Sequence, residues 1–330
     1  MFDTFKTQKE LAKIFAPSGR ESELIHHIAD LARPFADELR IDALGNLIVL
    51  KKGSSGKKLM LSAHADSIGL VVTFIDEKGF LRFCPVGGLQ IDAVLNNSVR
   101  FSNGTIGVVS TDGKVKTADR KLSDLFIDIG AKDEKSARKL VNVGDFAVYH
   151  AETRLIGTNI VSPYLDDRIG CVVLLQVLSM LQNPQRNVYF VFSAQEEVGC
   201  RGARTAAYDI KPDAALAVDI CYAGDAPEAS PFGAAKLGGG AAIKYRDNSL
   251  IGHPELIKWL ETLAKKGKIT VQRDVMSFGG TDAGAIAITR AGVPSCAVSV
   301  PTRYAHTPIE TAALADVEAC SLLLAAACNS

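Results

Sequence analysis

The sequence lacks the features that mark several classes of protein. It has no CxxC pair, and its seven cysteines are scattered singly, so neither a disulfide framework nor a thiolate zinc site is expected. It also has no apolar run of about 18 residues, which argues against a membrane helix, and no signal-like apolar core, which favours a reducing, cytoplasmic setting. Basic and acidic residues number 37 each, and this balance argues against nucleic acid or a membrane surface as a partner.

The pattern of elements predicts one α/β domain that is interrupted by a β-rich insertion. Between about residues 70 and 155 the chain shows short alternating strands with hairpin turns at Glu77-Lys78-Gly79, Ser102-Asn103-Gly104 and Thr111-Asp112-Gly113. From residue 166 onward, helices alternate with near-continuously apolar strands, which is typical of a buried parallel sheet. We therefore expect a discontinuous catalytic domain of residues 1–68 and 156–330, with the insertion at 69–155.

The predicted insertion also bears on assembly. A β-rich insertion exposes strand edges, and such edges are normally covered or paired. We therefore expect the protein to form an assembly larger than a monomer.

Five short motifs supply groups that bind metal ions. Most of them follow apolar runs that read as strands, at 58–62, 188–193, 214–219 and 296–300, so their side chains are expected at the carboxyl edge of one sheet. A mixed nitrogen and oxygen set suits zinc, cobalt or manganese better than calcium. The motifs are His64-Ala65-Asp66, Asp166-Asp167, Glu196-Glu197, Asp219 and His306.

Each motif alone also has an ordinary structural explanation. A His-x-Asp pair is commonly a surface or capping pair, although Asp66 could accept the second ring N–H of His64. Asp166-Asp167 precedes a predicted helix, whose dipole favours acids at its start, although a carboxylate can also bridge two cations. Glu196-Glu197 could be an exposed loop pair, or one ligand beside one general base. The coincidence of such residues at four strand ends favours a metal-dependent hydrolase.

At these residues the chain resembles a known family. This is the family of di-metal aminopeptidases that includes glutamyl aminopeptidase and the deblocking, tetrahedral (TET) aminopeptidases, some of which were once labelled endoglucanases. The similarity covers nearly the whole chain and is carried by Pro17-Ser18-Gly19, His64-Ala65-Asp66, Val86-Gly87-Gly88, Leu165-Asp166-Asp167-Arg168, Gln195-Glu196-Glu197, Gly279-Gly280-Thr281-Asp282 and Arg303-Tyr304-Ala305-His306 with Glu310.

The resemblance implies a zinc-exopeptidase-like three-layer α/β/α catalytic domain with a small barrel-like insertion. It also implies peptide substrates, cleaved at the N-terminal residue by water activated by two divalent metal ions, Zn²⁺ or else Co²⁺ or Mn²⁺. Dimers that associate into a tetrahedral dodecamer are the implied assembly. The implied roles are His64, Asp166 and Asp219 for one metal, Asp166, Glu197 and His306 for the second, Glu196 as general acid/base, and Asp66 as the partner of His64.

Two alternatives remain open at this point. An endoglucanase-type glycoside hydrolase needs only a pair of carboxylates, but it leaves His64 and His306 unexplained. A non-catalytic metal-binding or assembly protein would need no Glu196, because this residue is not an implied ligand.

Overall fold

The chain first forms one side of a large mixed sheet and the helices beside it. The computed structural model describes residues 2–111, 116–227 and 233–330. No helix within these ranges is both long enough and apolar enough to cross a membrane. The elements of the first segment are α1 (Thr4–Leu11), α2 (Ser22–Ala32), β1 (Glu38–Ile41), β2 (Leu47–Lys51) and β3 (Lys58–His64), with a 3-10 turn at Arg33–Phe35.

The chain then leaves this sheet and builds a six-stranded barrel. Its elements are β4 (Gly69–Ile75), β5 (Leu81–Val86), α3 (Ile91–Val94), β6 (Ser98–Phe101), β7 (Ile106–Thr111), β8 (Leu125–Asp128), α4 (Glu134–Ala137) and β9 (Phe146–Tyr149), with 3-10 turns at Thr117–Asp119 and Leu122–Asp124. Alternate side chains such as Val72, Val99 and Ile127 fill the interior, while Phe74 and Val108 are exposed.

The structure confirms most of the strands and turns predicted for this region and corrects the inference about its strand edges. The predicted turns at 77–79 and 102–104 join antiparallel neighbours β4–β5 and β6–β7, whereas the turn predicted at Thr111-Asp112-Gly113 extends outside the described residues. Strand β5 and helix α3 were not predicted. The expectation of exposed strand edges was wrong, because β4 pairs with β9 and the barrel closes on itself.

After the barrel the chain returns to the large sheet. Its elements are β10 (Arg154–Ile156), β11 (Asn159–Ser162), α5 (Leu165–Met180), β12 (Asn187–Ser193), α6 (Arg201–Ile210), β13 (Ala214–Tyr222), β14 (Ala241–Arg246), α7 (Pro254–Gly267), β15 (Val271–Val275), α8 (Asp282–Ala287), β16 (Ser295–Arg303), β17 (Glu310–Ala313) and α9 (Leu314–Cys328). The strand order is β1-β2-β12-β3-β13-β16-β17-β11-β10, with β14 paired to β16 and β15 paired to β14. At its centre, β12, β3, β13 and β16 run parallel.

Helices cover both faces of this sheet. Along β3, Leu59 and Leu61 pack into the cluster formed with α2, α5, α7 and α9, while Met60 between them packs into the cluster formed with α6 and α8. This alternation follows from the two-residue period of a strand, and it explains why the sequence of the central strands is apolar throughout. The structure therefore confirms a three-layer α/β/α architecture with an inserted barrel.

Several predicted strand ends were too early. The runs predicted at 214–219 and 296–300 continue to Tyr222 and Arg303, because β13 and β16 stay paired in register as far as Tyr222 and Thr302. Arg154 and Leu155, which the sequence placed in the insertion, lie in β10 of the large sheet.

Candidate metal centre

Four neighbouring parallel strands bring the predicted side chains to one edge of the sheet. Strand β3 ends at His64, and Glu196 follows the end of β12. Asp219 lies inside β13 rather than at its end, and His306 follows β16. Because adjacent parallel strands present their carboxyl ends at the same edge, residues far apart in the sequence meet here.

Asp166, at the start of α5, lies between two imidazoles. Its Oδ1 is 3.0 Å from Nε2 of His64, and its Oδ2 is 3.1 Å from Nε2 of His306. Oε2 of Glu197 lies 3.6 Å from the same Nε2 of His306. A carboxylate whose two oxygens face different ligand groups has the arrangement expected of a bridge between two cations.

Backbone carbonyls determine which nitrogen each imidazole turns toward Asp166. Nδ1 of His64 donates to the backbone oxygen of Asp66 at 3.1 Å, and Nδ1 of His306 donates to that of Gly88 at 2.9 Å. The Nδ1 proton is thereby directed away from Asp166, so Nε2 is the nitrogen that can bind a cation when its own proton leaves. Gly88 belongs to the segment after β5, and a Cβ there would lie 2.8 Å from Nδ1 of His306, so this approach requires glycine.

The charge of the site fits divalent cations. Burial, followed by the charge of Asp166, raises the pKa of Glu197 to about 8 and holds the pKa of Asp219 well above its usual range. Burial alone would lower the pKa of His306, but contact with Asp166 and the charge of Glu197 outweigh it and raise the pKa to about 11. Oε1 of Glu197 is buried without a hydrogen-bond partner among the described residues. Buried carboxylates in this number need positive charge nearby, and bound cations supply it.

Two of the three groups of possible ligand atoms in the described part of the chain share His64. One joins His64, Asp166 and Glu197, and the other joins His64, Asp167 and Asp219, each with its donor atoms within 4.8 Å of one another. Asp167, which follows Asp166 through a cis peptide bond, was not a predicted ligand. Its oxygens accept from the backbone N–H of His64 at 3.1 Å and of Gly170 at 3.2 Å, so this carboxylate ties the end of β3 to the first turn of α5.

Asp66 holds the segment that carries both glutamates. Its carboxylate accepts from the backbone N–H of Glu196 at 2.9 Å and of Glu197 at 3.2 Å, and from the hydroxyl of Ser18 at 2.6 Å. Its Oδ1 is also 3.5 Å from Nδ1 of His64. Asp66 therefore contacts its predicted partner, but its shorter hydrogen bonds come from the Ser18 hydroxyl and from two backbone amides, which the sequence did not indicate.

Glu310 is a further buried carboxylate that positions the site, and no role was predicted for it from the sequence. It accepts from the backbone N–H of Asp166 at 3.0 Å and of His306 at 2.7 Å. Burial, followed by the charge of Asp166, raises its pKa to about 8. The signal available in the sequence was its place four residues after His306.

Glu196 differs from its neighbour in the groups that it faces. Its Oε2 is 3.8 Å from Nε2 of His64, and its Oε1 accepts from the thiol of Cys200 at 3.0 Å. Burial raises its pKa to about 8, although the charge of His64 opposes this shift. The side chain borders a cavity of about 350 Å³ that Tyr222 and Met276 also line. A carboxylate with a raised pKa beside a cavity is suited to accept a proton from a bound molecule.

Comparison with known proteins identifies the family. Residues 45–323 match the family model described as M42 glutamyl aminopeptidase. The chain belongs to this family. A relative from Acetivibrio thermocellus that carries an aminopeptidase name is 44% identical over 328 residues, which cover 99% of each chain.

Two solved peptidase structures share the fold of nearly the whole chain. An aminopeptidase from the archaeon Desulfurococcus kamchatkensis is 38% identical and superposes with a TM-score of 0.94 over 99% of this chain and 94% of that one. The Pyrococcus horikoshii TET1 peptidase, which can assemble into a tetrahedron or a large octahedral shell, is 32% identical with a TM-score of 0.90 over 99% of each chain.

These comparisons confirm the resemblance found in the sequence. This protein is a metal-dependent aminopeptidase, which is an enzyme that hydrolyses peptides at their N-terminal residue. The glycoside hydrolase and the non-catalytic alternatives are therefore set aside.

Proposed function

We propose that this aminopeptidase uses two divalent cations held at the sheet edge, with Asp166 between them. His64, Asp166 and Asp219 would hold one ion, and Asp166, Glu197 and His306 would hold the other. The single observation that supports this assignment is the position of the Asp166 carboxylate between the two Nε2 atoms. Zn²⁺, Co²⁺ or Mn²⁺ suits the nitrogen and oxygen donors. When bound, such ions activate water and polarise the scissile carbonyl.

Glu196 is proposed as the general acid/base. It lies beside His64 but is not one of the proposed ligands of the two ions, and it borders the cavity. It takes a proton from the attacking water and delivers it to the leaving amine. Asp66 holds the backbone N–H of Glu196, so it acts by positioning the base rather than by touching the substrate.

We propose that the carboxylates of the centre also select the N-terminal residue of the substrate. A free α-amino group is positively charged at neutral pH, and it is attracted to an excess of buried carboxylates. A blocked or internal residue lacks that charge. We propose that this attraction aligns the first peptide bond with Glu196.

The test compares three substrates on one preparation of enzyme. A metal-loaded sample should hydrolyse an aminoacyl-anilide, lose that activity in a chelator and regain it with Zn²⁺, Co²⁺ or Mn²⁺. The N-acetylated anilide, which lacks the charged amine, should not be cleaved, and neither should a cello-oligosaccharide. Turnover that persists after complete removal of metal, or equal cleavage of the blocked anilide, would refute the proposal.

We further propose a homo-oligomer, built from dimers and reaching a tetrahedral dodecamer. The assembly of the Pyrococcus horikoshii relative supports this proposal, as do the exposed apolar side chains of Phe74 and Val108 on the barrel. Light scattering should give the mass of twelve chains. A mass near the 35.2 kDa of one chain would refute any assembly, and a dimer would refute only the dodecamer.

The domain division and the compartment are proposals as well. We assign residues 1–68 and 156–330 to the catalytic domain and 69–155 to the insertion, except that Arg154 and Leu155 join the catalytic sheet through β10. The seven cysteines are all free, which supports a reducing compartment, and we propose the cytoplasm.

A further inference from the structure

The side of Glu196 that faces away from His64 carries a second group of ligand-type side chains. One donor atom each from Glu196, Cys200 and Asp282 lies within 4.8 Å of the other two. Cys200 contacts Glu196 directly, through the hydrogen bond from its thiol to Oε1 at 3.0 Å. Apart from Glu196, the group shares no residue with the proposed di-metal centre.

Asp282 has an oxygen that no group of the described residues satisfies. Its side chain is almost wholly buried, at 2% exposure. Oδ2 accepts from the hydroxyls of Ser62 and Ser193, at 2.6 Å each, whereas Oδ1 is buried without a hydrogen-bond partner within the described ranges. Leaving a carboxylate oxygen buried and unpaired is costly, and a cation removes that cost.

The backbone holds the thiol in place and leaves it within reach of solvent. The N–H groups of Gly199 and Cys200 both donate to the backbone oxygen of Glu196, at 2.8 Å each, so the turn brings Cys200 back toward the glutamate. Cys200 is only partly buried, and it lines the same cavity as Glu196. A small ion in that cavity can therefore reach the sulfur.

One thiol and two carboxylates form a donor set that prefers some metal ions over others. Sulfur favours zinc and softer ions such as cadmium over magnesium, calcium or manganese. The proposed catalytic ligands contain no sulfur, so the two sites differ in the ions that they prefer.

We propose that Glu196, Cys200 and Asp282 form a third metal site, which takes Zn²⁺ or Cd²⁺ and inhibits the enzyme. The inhibition rests on the proposed function, because it follows from the role of Glu196 as general base. When the ion binds, the S–H bond of Cys200 breaks, its proton passes to the buffer, and metal–sulfur and metal–oxygen bonds form. The electron pair of Glu196 is then engaged with the ion and cannot accept a proton from water.

The binding test uses cadmium, because a cadmium–thiolate bond absorbs in the ultraviolet by charge transfer whereas cadmium–carboxylate and cadmium–imidazole bonds do not give that band. The metal-loaded enzyme should gain the band on titration with Cd²⁺. Cys200→Ser should lose it. Cys84→Ser is the matched control, because Cys84 is exposed and lies on the barrel, and this variant should keep the band. An equal band in Cys200→Ser would overturn the proposal.

The inhibition test compares each variant with its own rate before excess metal is added. Excess Zn²⁺ or Cd²⁺ should inhibit the unmodified enzyme, and Cys200→Ser, whose hydroxyl can still donate to Glu196, should need at least about tenfold more metal for the same inhibition. Asp282→Asn is the second variant should Cys200→Ser not fold, and it should weaken the cadmium band at a given concentration. Unchanged inhibition of Cys200→Ser, or an unchanged titration of Asp282→Asn, would overturn the proposal.

The two proposals can fail separately. If the metal-loaded enzyme turned over no aminoacyl-anilide, the proposed function would be refuted. The cadmium band would still decide whether Cys200 belongs to a metal site.

Discussion

The two adjacent glutamates should respond differently to the same substitution. Glu196→Gln keeps the shape of the side chain and an oxygen that can accept the thiol of Cys200, but an amide cannot take a proton from water. Glu197 faces His306 instead, with its Oε2 at 3.6 Å from Nε2. Glu197→Gln therefore removes the charge of a proposed ligand of the di-metal centre, whereas Glu196→Gln removes a proposed base and leaves every proposed ligand of that centre in place.

The expected size of the effect follows from these roles. Loss of a general base lowers the rate roughly 10²–10⁴-fold, or ~3–5 kcal/mol in the barrier. The loss in Glu196→Gln should fall on kcat, with KM little changed, because substrate binding does not need the proton acceptor. Glu197→Gln should lower metal content and activity together, since one ion loses an anionic ligand.

The assay combines steady-state kinetics on an aminoacyl-anilide with the metal content per chain after dialysis. Circular dichroism provides the control that each variant is folded. Near-native turnover of Glu196→Gln would refute its role as the base. Loss of metal from Glu196→Gln equal to that from Glu197→Gln would show that the two roles are not separable in the way that the distances indicate.

Three further substitutions test the surroundings of the site. Glu310→Ala releases the backbone of two proposed ligands, so metal affinity should fall roughly 10–100-fold in a chelator titration, and unchanged affinity would contradict the positioning role. Lys244→Met leaves its fully buried ion-pair partner Asp274 without a countercharge, so urea unfolding should show a loss of about 3–5 kcal/mol in the free energy of unfolding. Adding Asp274→Leu should restore most of that stability. A double variant as unstable as Lys244→Met alone would contradict this. Gly88→Ala would place a Cβ 2.8 Å from Nδ1 of His306, so metal content and turnover should both fall, and native values would show that the loop can yield.

The end of a strand that carries a site residue could be predicted only where the apolar pattern and the strand end at the same residue. His64 closes an apolar run, and β3 does end there. Asp219 also closes an apolar run, yet β13 continues to Tyr222, because its hydrogen bonds go to β16 and that pairing persists beyond Asp219. A polar side chain inside a strand reads as a strand end when the partner strand is unknown.

The contacts that hold the site together were less predictable than the residues that line it. Asp66 accepts from the backbone of Glu196, and Glu310 from the backbone of Asp166, across more than a hundred residues of sequence in each case. No local periodicity carries that information, because a backbone N–H is present at nearly every position. Among the described residues no donor reaches Oδ1 of Asp282, and this could not be predicted either, because it depends on which groups the fold brings close.

The hydrogen bond from His306 to Gly88 limits how this chain could be re-engineered. The barrel and the catalytic layers have separate hydrophobic cores, so the barrel would be expected to be exchangeable without effect on the catalytic site. Here the backbone carbonyl of Gly88, in the insertion, selects the tautomer of His306 in the catalytic domain. A graft that replaced the barrel while discarding the segment around Gly88 would therefore alter the chemistry of the centre as well as any assembly. Gly87 and Gly88 lie between β5 and α3, inside the inserted sequence, so a replacement insertion would have to supply a carbonyl at this position itself.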